Sequence, residues 1–225
     1  TTREIADFAY KTTFNDFDSS LVKLVKNVLL SGVGMTMAGA GTDAGKAILS
    51  YVRECAAPQE AGVLGAGFRT SAEYAALANG TTSHSTELED DSPDVTCSSV
   101  GIFPAIFALG EKLHVSGKEV IEAFVIAWDV AEKLFLPALR TFAVRGMGPY
   151  IGTIGLAASS AKMLKLDLDK MTMAVSIAAS HTNWCLLSQT GTGAHLYEMG
   201  LAGRNGIASA ILASHGLTGQ PDILE

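Results

Sequence analysis

Glu87, Glu89, Asp90, Asp91 and Asp94 place five carboxylates within eight residues, shortly after His84. Like charges this close raise one another's pKa values, so such a cluster can set a proton donor beside a proton acceptor. A solvated acidic loop closing a helix has the same composition, and the cluster alone does not decide between the two. His195, in the segment Gly191 to Gly200 (GTGAHLYEMG), is a second titratable candidate. Its imidazole would act as a base near neutral pH and as a carboxylate binder when protonated, although a helix-start His bonded to backbone reads the same way. Cys97 adds a thiol that can move a proton. The glycines of Arg145 to Gly155 (RGMGPYIGTIG) suit close backbone approach to a ligand, with the next helix N-terminus facing an anion; an ordinary turn between helices fits them too. His181 and Cys185 have the i, i+4 spacing of a metal pair, but no third ligand is suitably spaced, so His181 reads as a partly buried structural residue. His114 and His215 stand beside helix ends and suggest nothing further.

One apparent motif fails on its details. GAGTDAGKA (Gly39 to Ala47) resembles a phosphate loop, which needs Gly, four residues, then Gly-Lys-Ser/Thr after a strand. Ala40 holds the first Gly place, Ala47 the hydroxyl place, and the preceding segment reads as helix, so nucleotide binding is rejected.

The elements that must position these residues are helical. Ile5, Phe8 and Ala9 begin one amphipathic helix; Leu21, Leu24, Val25 and Val28 lie on a second, with Asp18 or Ser19 as N-cap. A third covers about residues 43–56 and ends at Ala57-Pro58. Thr70 to Glu73 and Ser116 to Glu119 are capping-box patterns, opening helices through Leu77 and through Phe124 to Leu134. Asp167 or Asp169 caps a later helix through Ile177, and the last runs from about Leu196 to Ser214, stopping at Gly216. Strand signal is confined to Ala61 to Leu64. Small residues recur in Gly155 to Ala161 and Gly200 to Gly206, where helices are expected to cross closely. The expectation is one all-α domain over residues 1–225.

Composition bounds the function classes. Of 225 residues 48% are hydrophobic and 17% charged, which calls for a large core or an oligomer interface. The longest apolar runs, such as Val120 to Trp128, are short or interrupted, so no membrane partner is expected. A net charge of −7 with scattered Lys and Arg argues against nucleic acid. Cys55, Cys97 and Cys185 are odd in number and lack CxxC spacing, which fits a reducing compartment and no zinc pattern. With no signal-like amino terminus the expected location is the cytoplasm; a presequence removed before Thr1 would place it in the mitochondrial matrix.

Four stretches, in order, resemble the MmgE/PrpD family: Tyr74 to Asp91, Gly101 to Leu134, Gly152 to Asp167 and Gly200 to Glu225. The resemblance implies a multi-helix domain and a metal-free, cofactor-free acid/base enzyme for small di- or tricarboxylates, generally a homodimer. It also implies an α/β lid domain after the point corresponding to Glu225, so the chain reads as the first half of a longer protein or as one without the lid. Carried over position by position, His84 holds the family's first His, Glu87 its first Asp, and Asp91 the place of a Thr. Cys97 stands where the catalytic His is usual, Gly148 at a second His, Tyr150 at a Thr, and His195 at a Lys. The resemblance thus points to Glu87, His195, Asp91 and Cys97 as catalytic candidates and to His84, Arg145, Gly148 and Tyr150 as substrate-binding ones. The replacements imply a lyase or isomerase whose substrate is not the usual methylcitrate or aconitate and carries fewer carboxylates. The alternative is an inactive or repurposed helical binding or dimerisation protein.

Overall fold

A computed structural model of the protein describes residues 1–89, 99–142, 148–181 and 191–225. Its elements are α1 (Thr2–Lys11), α2 (Ser19–Gly39), α3 (Asp43–Glu54), β1 (Ala61–Val63), β2 (Phe68–Thr70), α4 (Ala72–His84), α5 (Ser99–Leu113), α6 (Gly117–Phe142), α7 (Gly148–Met163), α8 (Leu168–Ser180) and α9 (Gly193–Ser214). A 3₁₀ turn at Phe14–Asp16 joins α1 to α2. The fold is all-α, and the strand expected at Ala61 to Leu64 is β1, paired antiparallel with β2 in a small hairpin.

Local chemistry sets most helix starts. Asp18 caps α2 by accepting from Leu21 N–H at 2.8 Å, and Asp167 caps α8 by accepting from Lys170 N–H at 2.9 Å. The capping box before α6 forms in both directions: Ser116 N–H donates to Glu119 Oε2 at 2.7 Å, and Glu119 N–H to Ser116 Oγ at 3.4 Å. The box expected at Thr70 to Glu73 does not form. Thr70 is taken by β2, so Ser71 becomes the cap, receiving Tyr74 N–H at 3.4 Å. The last helix starts at Gly193, not near Leu196, which puts His195 in its first turn. It stops where Gly216 (φ 92°) adopts the left-handed conformation, with Leu217 N–H donating to Leu212 O and Gly216 N–H to Ala213 O.

α4 is the central helix. Ala72 and every residue from Ala75 to His84 are buried, so it has no solvent face, and α2, α3, α5 and α9 pack around it. Glycine makes this approach feasible. A Cβ on Gly200 of α9 would lie 2.1 Å from Leu77 O, and one on Gly80 of α4 2.6 Å from Gly200 Cα. The same device brings α7 against α6, where a Cβ on Gly155 would meet Ala127 O at 2.3 Å. Both small-residue stretches therefore cross neighbours as expected. The GAGTDAGKA segment is likewise explained by packing: Gly39 ends α2 against α4, where a Cβ would stand 1.8 Å from Thr82 O. Two large apolar clusters share the interior, beside a small third of Met35, Val100 and Met199. One large cluster gathers α2 to α6 with the hairpin around Phe103 and Leu77; the other joins α1, α7 and α8 to parts of α6 and α9 around Ile126 and Ile154.

α2 is the one described helix whose length and composition would suit a membrane span. It is 21 residues long, with a mean hydropathy of 1.3 over its most apolar stretch, of which 28% is buried. By length and composition it could cross a bilayer, which the short apolar runs had argued against. Here Val25, Leu29, Gly32, Met35 and Thr36 face inward, while Leu24, Leu30 and Met37 are exposed.

Candidate active site

The crossing of α4 and α9 assembles the site. His84 is the last residue of α4, one turn beyond Gly80; His195 lies in the first turn of α9, five residues before Gly200. Because the backbones touch at Gly80 and Gly200, the two imidazoles meet edge to face with ring centroids 4.7 Å apart. His84 is 1% exposed, sealed beneath the helix end, whereas His195 retains access at 19%.

Each imidazole has a carboxylate beside it. After His84 the chain turns through Glu87, whose φ of 51° lies in the left-handed region and whose N–H donates to His84 O at 3.1 Å. That turn throws the Glu87 side chain outward and returns Glu89 to the interior, where its Oε1 lies 3.2 Å from His84 Nε2. Burial works to raise the Glu89 pKa. The hydrogen bond from His84, the residue's own backbone N–H and the charges of His84 and His195 outweigh it and hold the carboxyl below its usual value. On α9, Glu198 sits three residues after His195 with Oε2 4.0 Å from Nδ1. The result is two imidazole–carboxylate pairs side by side, with Glu87 at their rim.

His84, Glu87 and His195 thus come together, each offering one atom within 4.8 Å of the others. Asp91, Cys97 and Arg145 lie outside the described residues, as do Asp90, Asp94 and Cys185. Gly148 and Tyr150 stand in the first turn of α7, so the segment expected to be a glycine loop is already helix there. Glu89 and Glu198 were not assigned a role by sequence reasoning. Glu89 was one acid among five, while the i, i+3 spacing of His195 and Glu198 on a helix was a readable signal. His181 is corrected as well: it is the exposed C-cap of α8, not a partly buried residue.

A cavity of about 510 Å³ opens beside this crossing, lined by Ala44, Ala47, Ile48, Tyr51, Thr81, Gly193 and Tyr197. Thr81 lies one turn before His84, and Gly193 and Tyr197 flank His195, so α4 and α9 supply part of its wall.

Residues 3–225 match the model of the MmgE/PrpD N-terminal domain. The chain belongs to the MmgE/PrpD family. It is 28% identical, over its whole length, to a cis-aconitate decarboxylase of Mus musculus, of which it covers 47%. It is 25% identical over its whole length to a cis-aconitate decarboxylase of Aspergillus terreus, covering 48% of that protein. A cis-aconitate decarboxylase of Homo sapiens is 31% identical over 159 residues, 68% of this chain and 33% of that one. The chain therefore spans about half the length of the curated relatives it matches. This MmgE/PrpD chain carries His84 and His195 on the two helices whose glycines bring them together.

Proposed function

We propose that the protein is a lyase or isomerase acting on a small carboxylate by acid/base chemistry, with no cofactor required for the reaction. The observation that carries this reading is the pair of imidazole–carboxylate couples at the α4–α9 crossing. Family membership and the cis-aconitate decarboxylases among its relatives support it at the level of reaction class.

The roles divide by exposure. His84, sealed and held through Nε2 by Glu89, orients a substrate carboxylate or carbonyl, donating from Nδ1 in its protonated form. His195, more open and backed by Glu198, transfers the proton, and Glu87 at the rim is its partner acid or base. A decarboxylase needs a donor that protonates the carbanion as CO₂ leaves; a dehydratase needs a base at carbon and an acid at the departing hydroxyl. Two titratable groups with atoms within 4.8 Å of each other meet either demand. The missing Lys and His positions favour a substrate with fewer carboxylates than methylcitrate or aconitate.

The apolar excess, with Leu24, Leu30 and Met37 left exposed on α2, supports a homodimer as the working unit. A panel of small mono-, di- and tricarboxylates, including cis-aconitate, incubated with the protein and followed by NMR tests the reading. Conversion of at least one, lost in Glu87→Gln without loss of helicity, is expected. A panel returned unchanged would favour the repurposed binding protein instead.

A further inference from the structure

The geometry points to a divalent transition-metal site formed by His84, Glu87 and His195. Two imidazoles and one carboxylate, each offering an atom within 4.8 Å of the others, are the donor set of a three-ligand site with an open fourth position. The arrangement differs from a chance gathering of surface acids in three respects. Both imidazoles are carried by helices locked at a glycine crossing, so their mutual position is fixed before any ion arrives. A metal-bound His normally gives its other ring nitrogen to a carboxylate, and Glu89 Oε1, 3.2 Å from His84 Nε2, holds that place. His195 Nδ1 is buried with no hydrogen-bond partner among the described residues, its neighbouring carboxylate oxygen standing 4.0 Å away.

The third ligand supplies the adjustment. Tetrahedral ligands at zinc-like bond lengths stand roughly 3.3 Å apart, so the three atoms must close somewhat on an ion. Glu87 is exposed at the end of a turn, and its side chain can swing inward without repacking the core. Mixed nitrogen and oxygen donors select Zn²⁺, Co²⁺ or Ni²⁺ over Mg²⁺ or Ca²⁺, which take oxygen ligands. Because the ion would occupy the imidazoles assigned above to substrate orientation (His84) and proton transfer (His195), it competes with substrate and shuts that chemistry down. The metal site itself does not depend on the lyase reading.

Co²⁺ titrated into the metal-stripped protein, without substrate, tests this through its visible absorption, with Zn²⁺ used to displace it. One Co²⁺ per chain is expected, with d–d bands and no thiolate charge-transfer band in the near ultraviolet. Glu87→Gln and His195→Gln should each weaken binding by at least ~10-fold, and Glu89→Gln, which leaves all three ligands in place, by ~10–100-fold. Circular dichroism checks each variant, and the exposed Glu87→Gln decides should another lose its helicity. No binding, binding indifferent to Glu87→Gln, or a thiolate band assigning the ion to Cys55, Cys97 or Cys185 would overturn the inference. Carboxylate turnover by the metal-free protein is read separately, so failure of one reading leaves the other standing.

Discussion

Glu89 has the residue-scale feature that matters most: a carboxylate taken out of water and still held in its ionised form because an imidazole meets it. In the proposed reaction that pairing leaves His84 an orienting role and gives the moving proton to His195, whose side chain reaches the surface. Replacing His195 by Gln should therefore lower kcat by ~10²–10⁴-fold, the usual contribution of a positioned acid or base, while the melting temperature stays within a few degrees. Stopped assays on the variant and its parent, paired with thermal melts, check both halves. The sequence marked His84, Glu87 and His195 as chemistry-bearing residues, since type and family position both pointed at them. It did not separate Glu89 from its acidic neighbours. What distinguishes Glu89 is the left-handed turn at Glu87, a backbone choice that no periodicity records. Nor was Glu198 singled out, although its i, i+3 spacing from His195 was readable, because no motif pointed to it.

At the scale of the element, the crossing of α4 and α9 is what turns separate histidines into a site. Gly200→Ala sets a methyl 2.1 Å from the Leu77 carbonyl, a backbone atom that cannot step aside. It should cost about 3 kcal/mol of stability and part the two imidazoles, which urea melts and histidine NMR shifts would register. Gly34→Ala is the matched contrast. Nothing lies within 4 Å of the added methyl, and α2 should gain ~0.5–1 kcal/mol through reduced backbone freedom in the unfolded chain. The helix caps carry a pH dependence of their own. The Ser20 hydroxyl, followed by the Leu21 N–H, stabilises the Asp18 carboxylate and holds its pKa below the usual value. A depressed pKa means that this stabilisation is present above the unfolded value of about 3.9 and is lost as pH falls through the folded value. Asp18→Asn, which keeps a capping oxygen, should accordingly flatten the acid limb of melting temperature against pH and leave neutral pH nearly untouched. Asp18, Ser116 and Asp167 were legible as caps because each precedes an apolar period. Thr70 misled because its hairpin pairing with Ala61 is a contact between segments, invisible to a local reading.

The molecule as a whole is an α4-centred bundle with a second apolar cluster around α1, α7 and α8. All-helical character was evident from periodicity; the split of the interior between two large clusters was not, since it depends on which faces meet. With Leu24, Leu30 and Met37 exposed, light scattering should return twice the 23.5 kDa chain mass, and a monomer at all concentrations would exclude the dimer. The central claim is that His195, set beside His84 at the α4–α9 crossing, moves a proton on a small carboxylate. Its most direct test is NMR of candidate carboxylates in D₂O with the protein and with His195→Gln, both stripped of metal. The account predicts deuterium entering one substrate at carbon next to the carboxylate, or at the carbon that lost CO₂, and its disappearance in the variant. Equal deuterium incorporation by both proteins, or none with any carboxylate, would contradict it.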